Sequence, residues 1–105
     1  MNIAIFASGS GSNFQAIADA VKDGRLAVNI ALLVCDNPKA YVLERAKKSG
    51  VEVFLIQPKD FKSKAEFEAG ILKELKKKKI GLIALAGYTR FLSADFIKAY
   101  KDKII

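Results

Sequence analysis

The stretch Ile3-Ala4-Ile5-Phe6-Ala7-Ser8-Gly9-Ser10-Gly11-Ser12-Asn13 decides the fold. A continuous apolar run, rather than an alternating one, suits a strand covered on both faces, as in a parallel sheet. The run stops at a Ser/Gly loop, where Ser12 or Asn13 is expected to cap a helix. Ala16, Ile17, Ala20 and Val21 carry helical spacing, and Gly24 ends it.

The same alternation continues downstream. Val28 to Cys35 is a second apolar, β-branched-rich run, broken by the turn residues Asp36-Asn37-Pro38. Tyr41, Leu43, Ala46 and Lys47 begin a second helix, closed by Ser49-Gly50, and Val51 to Ile56 reads as a third strand. After the loop Gln57-Pro58-Lys59-Asp60, a third helix runs from Ser63 to about Lys79, with Phe67, Ile71, Leu72 and Leu75 as its apolar stripe. Ile80 to Ala86 is a fourth strand, and Ser93 caps a short helix with Asp95 in its first turn. Lys103-Ile104-Ile105 reads as the start of a further strand. The order implies an α/β fold: a Rossmann-type parallel sheet, order 3-2-1-4, with helices on both faces. No repeat, linker or composition shift divides residues 1–105, so a single domain is expected.

Composition narrows the chemistry. The chain has 105 residues, a formal net charge of +7, 51% hydrophobic and 28% charged residues, which is a globular balance. It has no His, which excludes an imidazole base, acid or metal ligand within this chain. Its one Cys excludes an internal disulfide and a multi-thiolate metal site, and suits a reducing compartment such as the cytoplasm. No apolar run approaches the ~18 residues needed to cross a bilayer, so no membrane partner is expected. Lys76 to Lys79 reads as a solvated helix end rather than a nucleic-acid surface, because no aromatic residue interleaves it. Cys35 reads as a small buried hydrophobe, since no His is present to activate a thiolate.

Two loops carry chemistry. Ser8 to Asn13 joins a strand to a helix, and its glycines let backbone amides converge without a Cβ in the way. The helix N-terminus adds partial positive charge there, so the loop suits a small phosphate. It fits neither standard fingerprint. A dinucleotide motif would place glycine where Phe14 stands, and a P-loop would need Gly-Lys-Ser/Thr. A tight strand-to-helix turn would use the same residues. The second loop, Gly87 to Ser93, leaves the fourth strand at the same carboxyl edge of the sheet. Its aromatic, its Arg and its apolar pair suit a flat heterocycle bearing a carboxylate tail.

Together, Ser8-Gly9-Ser10-Gly11-Ser12-Asn13 with Gln15-Ala16-Ile17, then Leu43-Glu44-Arg45-Ala46, then Leu85 to Ser93, resemble the phosphoribosylglycinamide formyltransferase family. The similarity runs the length of the chain. The resemblance implies formyl transfer from 10-formyltetrahydrofolate, as cosubstrate, to the amine of glycinamide ribonucleotide, in purine synthesis and with no metal. It implies that Gly11, Ser12 and Asn13 hold the ribonucleotide phosphate, and that Thr89, Arg90, Phe91 and Leu92 line the folate site. Lys64 falls where the family often has Arg, Thr89 replaces a usual Met, and Phe91 a usual Ile or Leu. The family's catalytic Asn, His and Asp are expected after Ile105, so residues 1–105 correspond to its N-terminal, phosphate-binding half and are expected to be inactive alone. A bare Ile80–Ala86 edge is then expected to self-associate or to pair with the other half. The alternative is a stand-alone dinucleotide- or phosphate-binding module without catalysis, with Asp36 on a ribose hydroxyl.

Overall fold

The computed structural model describes residues 1–105. Strands β1 (Asn2–Ala7), β2 (Asn29–Cys35), β3 (Val53–Leu55) and β4 (Leu82–Leu85) form one parallel sheet in the order β3-β2-β1-β4. Helices α1 (Ser12–Lys22) and α2 (Val42–Ser49) cover one face, and α3 (Lys64–Lys77) and α4 (Ala94–Ala99) the other. A short 3-10 turn, Pro58–Asp60, precedes α3. The most apolar run, Ile3 to Ala7, is the central strand and is buried throughout.

The two faces divide by strand parity. Ile3, Ile5 and Ala7 meet Phe14, Val42 and Ala46, while Ala4 and Phe6 meet Phe67, Ile71, Leu75 and Phe96. Ile3 pairs with Ile30 but Ala4 with Leu32, so Ala31 is an extra residue in β2. This bulge turns Ala31 and Leu32 to the same face. Burying Phe6, Phe14 and Phe96 contributes roughly 1.5–3 kcal/mol each.

The structure departs from the sequence reading in four places. Neither Ser12 nor Asn13 caps α1. The cap is Gly11 in the left-handed region (φ 81°), with no side-chain cap bond. Ala16 is exposed, and Phe14 is the fully buried anchor of that helix. The third and fourth strands are shorter than the apolar runs that contain them. Finally, the outer edge of β4 is not bare. Ile83 N–H donates to the Lys103 carbonyl at 2.8 Å, Ile105 N–H to Ile83 at 2.9 Å and Leu85 N–H to Ile105 at 2.8 Å. Residues 103–105 thus occupy the ladder that was expected to recruit another chain along Ile80–Ala86. The Ser93 cap is as expected, its Oγ accepting from Phe96 N–H at 3.1 Å.

Candidate functional site

All strands run the same way, so the loops after β1, β2 and β4 share one rim. Strand order reverses between β1 and β4, where open α/β sheets receive ligands. The Ser8–Asn13 loop lies at that reversal, and its peptide groups are sorted by direction. The Ser8 carbonyl accepts from Asn37 Nδ2 at 3.4 Å and the Gly9 carbonyl from Val42 N–H at 3.0 Å. The Ser10 carbonyl accepts from Arg45 Nε at 2.7 Å and the Gly11 carbonyl from Gln15 N–H at 2.8 Å. The amides of residues 9–14 have no acceptor within the chain. Successive carbonyls are therefore held by the protein, and the amides between them are left for something else. Such a run of free amides at a helix N-terminus attracts anions.

Arg45 is held in turn by Gln15 Oε1 at 3.5 Å and lies over the Tyr41 ring, 5.1 Å from its centroid. Within the Leu43-Glu44-Arg45-Ala46 block, Arg45 thus fastens the first loop. Gly11 admits no substitute: a Cβ there would lie 2.5 Å from Val42 Cγ2 and 2.9 Å from Val42 Cα.

Beside this loop runs the segment Gly87 to Ser93. Ser8 joins the two, donating its amide to the Gly87 carbonyl at 3.2 Å and accepting the Thr89 amide on Oγ at 3.1 Å. A cleft of about 410 Å3 on one side is lined by Lys64, Thr89, Arg90 and Phe91 with Pro58, Ser63 and Phe67. A cleft of about 420 Å3 on the other side takes Leu85, Tyr88, Leu92, Ile97 and Ile104, and shares Thr89, Arg90 and Phe91. One wall is basic and the other apolar, and the exposed Phe91 (89%) stands between them. A larger groove between α1 and α2 opens at the opposite end of the strands, by Asn29 and Val51.

The residues expected to meet phosphate or folate therefore lie on this rim. Gly11, Ser12 and Asn13 form the first loop, and Lys64, Thr89, Arg90, Phe91 and Leu92 line the two clefts. Three residues hold the second segment in place, and of these sequence reasoning passed over only Glu68. Ser8 is one. Glu68, buried on α3, accepts the Ser93 amide at 2.9 Å and also the Ser93 hydroxyl. Asp36 accepts from Arg90 Nε at 2.6 Å. That contact overturns the ribose role considered for Asp36, because its carboxylate is 4% exposed and already engaged. Burial, followed by the Asp36 charge, pushes the Tyr88 phenol well above its usual range, and its hydroxyl has no partner. Burial also raises the Cys35 thiol, which donates to the Asn37 carbonyl at 3.4 Å, so it is a poor nucleophile.

Comparison with known proteins agrees with this geometry. Phosphoribosylglycinamide formyltransferase of Bacillus subtilis is 45% identical over 102 residues, 97% of this chain and 52% of the relative. The trifunctional purine biosynthetic protein adenosine-3 of Drosophila melanogaster is 33% identical over 105 residues, 98% of this chain but 8% of that protein. Among solved structures, glycinamide ribonucleotide transformylase 1 of Geobacillus kaustophilus superposes with a TM-score of 0.95 at 54% identity. It covers 98% of this chain and 55% of that one. The chain thus spans about half the length of the single-function relatives it matches. Over that half, the fold agrees with these enzymes, and the sequence profile headed formyl transferase matches residues 1–105 from end to end. With that full-length match, the chain belongs to the formyl transferase family.

Proposed function

We propose that this chain takes part in transfer of a formyl group from 10-formyltetrahydrofolate to the amine of glycinamide ribonucleotide, in purine synthesis. The reading draws on the names of its relatives. The single observation that supports it best is the row of unpartnered amides at residues 9–14, set beside a loop flanked by one basic and one apolar cleft. Gly11, Ser12 and Asn13 would hold the ribonucleotide phosphate. The apolar cleft by Leu92 would take the flat ring of the folate, and Arg90 and Lys64 its carboxylate tail. The folate brings the formyl carbon. Attack by an amine on that carbon requires a proton acceptor and donors for the developing oxyanion. This chain has no imidazole, so those groups are assigned to the half of the relatives that it does not span. A strand from that half would pair outside Lys103–Ile105 rather than on β4.

The test is a titration with glycinamide ribonucleotide, followed by amide NMR shifts. Saturable shifts confined to residues 9–13, competed by inorganic phosphate, are expected. Unmoved loop amides at millimolar ligand would remove the phosphate assignment. Steady-state formyl transfer by residues 1–105 alone would remove the division of labour between the halves.

A further inference from the structure

We infer that Asp36 is the positioning residue for Arg90, turning its guanidinium so that only the outer pair of nitrogens meets a ligand carboxylate. This inference rests on the folate reading given above. Asp36 ends the apolar run of β2, and its side chain is 4% exposed, whereas that of Arg90 is 45% exposed. A single bond joins them, Arg90 Nε to Asp36 Oδ2 at 2.6 Å, and Asp36 Oδ1 is buried without any partner.

A pair built for stability would use both carboxylate oxygens. Burying a charge with lone pairs unused is a poor way to hold a fold together. The single contact instead does something geometric. An Arg can meet a carboxylate along its side, through Nε and one terminal nitrogen, or end-on, through both terminal nitrogens. Asp36 occupies the side approach. Neither terminal nitrogen of Arg90 has a partner in the chain, and the residue lines both clefts. The buried Tyr88 phenol lies within reach of the charges of both Asp36 and Arg90. The arrangement presents one planar fork to a carboxylate, so it selects for folates that carry the tail over pterins that lack it.

The test compares folic acid with 6-methylpterin, which has the ring but no carboxylate, at 0.15 M salt to screen long-range charge. Dissociation constants are read by fluorescence for the parent chain, Asp36→Ala, Asp36→Asn and Arg90→Ala, and for Asp36→Ala combined with Arg90→Ala. Asp36→Ala is expected to weaken folic acid about tenfold, or ~1.4 kcal/mol, and to leave 6-methylpterin unchanged. Asp36→Asn, which keeps an acceptor for Nε, is expected to restore most of the loss. In the Arg90→Ala background, Asp36→Ala is expected to change nothing further. Equal weakening of both ligands, or the same loss without Arg90, overturns the inference and makes Asp36 merely structural. Tighter folic acid binding by Asp36→Ala also overturns it, since the carboxylate would then only neutralise Arg90. Failure of the parent chain to bind either ligand instead sinks the folate reading, and the inference with it.

Discussion

Thr89 donates its backbone amide to Ser8 Oγ at 3.1 Å, so the Ser8–Asn13 loop and the loop between the clefts are joined at their bases. The Ser8 amide reaches back to Gly87 at 3.2 Å, closing a two-bond strap between the ends of β1 and β4. Ser8→Ala keeps the backbone bond and removes the side-chain one. The expected cost is about 0.5–1.5 kcal/mol of stability by urea denaturation. Faster amide exchange at Thr89 should accompany it, and unchanged protection there would show that the hydroxyl does not hold the loop.

Gly9 and Gly11 lie two residues apart and should respond in opposite ways to alanine. Gly11 has φ 81° and no room beside Val42, whereas nothing lies within 4 Å of a Cβ built on Gly9. Gly11→Ala should destabilise by roughly 2–4 kcal/mol through strain and overpacking. Gly9→Ala should fall within about 0.5 kcal/mol of the parent. Thermal melts of the two variants settle the comparison, and equal melting temperatures would contradict it.

The alkaline limb of stability should carry the signature of Tyr88. Its phenol is raised in the folded chain by burial and by Asp36, whereas in the unfolded chain it ionises near ~10. Between those points the folded state binds more protons, so stability is complete below about pH 10 and declines as pH rises above it. Tyr100, raised by burial, and Lys78, raised by its bond to Glu52, act in the same alkaline direction. Tyr88→Phe should therefore flatten only part of the decline. Because the hydroxyl is unpartnered, the substitution should leave stability at pH 7 equal to the parent or up to about 1 kcal/mol higher. Urea melts from pH 8 to 11 measure both effects.

Residues 103–105 guard the β4 edge, so their removal should expose it. Without them the amides of Ile83 and Leu85 lose their acceptors, beside the exposed side chains of Leu85 and Ile97. Sedimentation of a variant ending at Asp102 should show stronger concentration-dependent association than the parent. A monomeric variant would mean that the edge is protected by other means.

Most of the fold was legible because a parallel sheet writes itself as uninterrupted apolar runs. Ile3 to Ala7, apolar without alternation, reads as a strand covered on both faces, and the order of elements then implies the crossovers. The rim was legible for the same reason: glycines after β1 and the Tyr88–Leu92 segment after β4 must emerge on one side. The cap of α1 was misread because Ser12 is a good capping residue by type. Gly11 instead makes the left-handed turn (φ 81°), and Val42, 31 positions on, leaves no room for a side chain there. The pairing of Asp36 with Arg90 and of Glu68 with Ser93 was not legible, because the partners lie 54 and 25 residues away and no local spacing encodes such pairs. The protection of the β4 edge was not legible, because Lys103-Ile104-Ile105 reads as a strand but carries no local sign of which neighbour it pairs with.

The fastening of the Ser8 to Gly11 carbonyls by Asn37, Val42, Arg45 and Gln15 has a kinetic consequence. Peptide planes held in this way resist flipping, so the loop presents its free amides in one arrangement. An anion arriving at this loop would have hydration water to displace and no loop backbone to organise. Its capture should then run at the pace of charge-steered diffusion and slow as ionic strength increases.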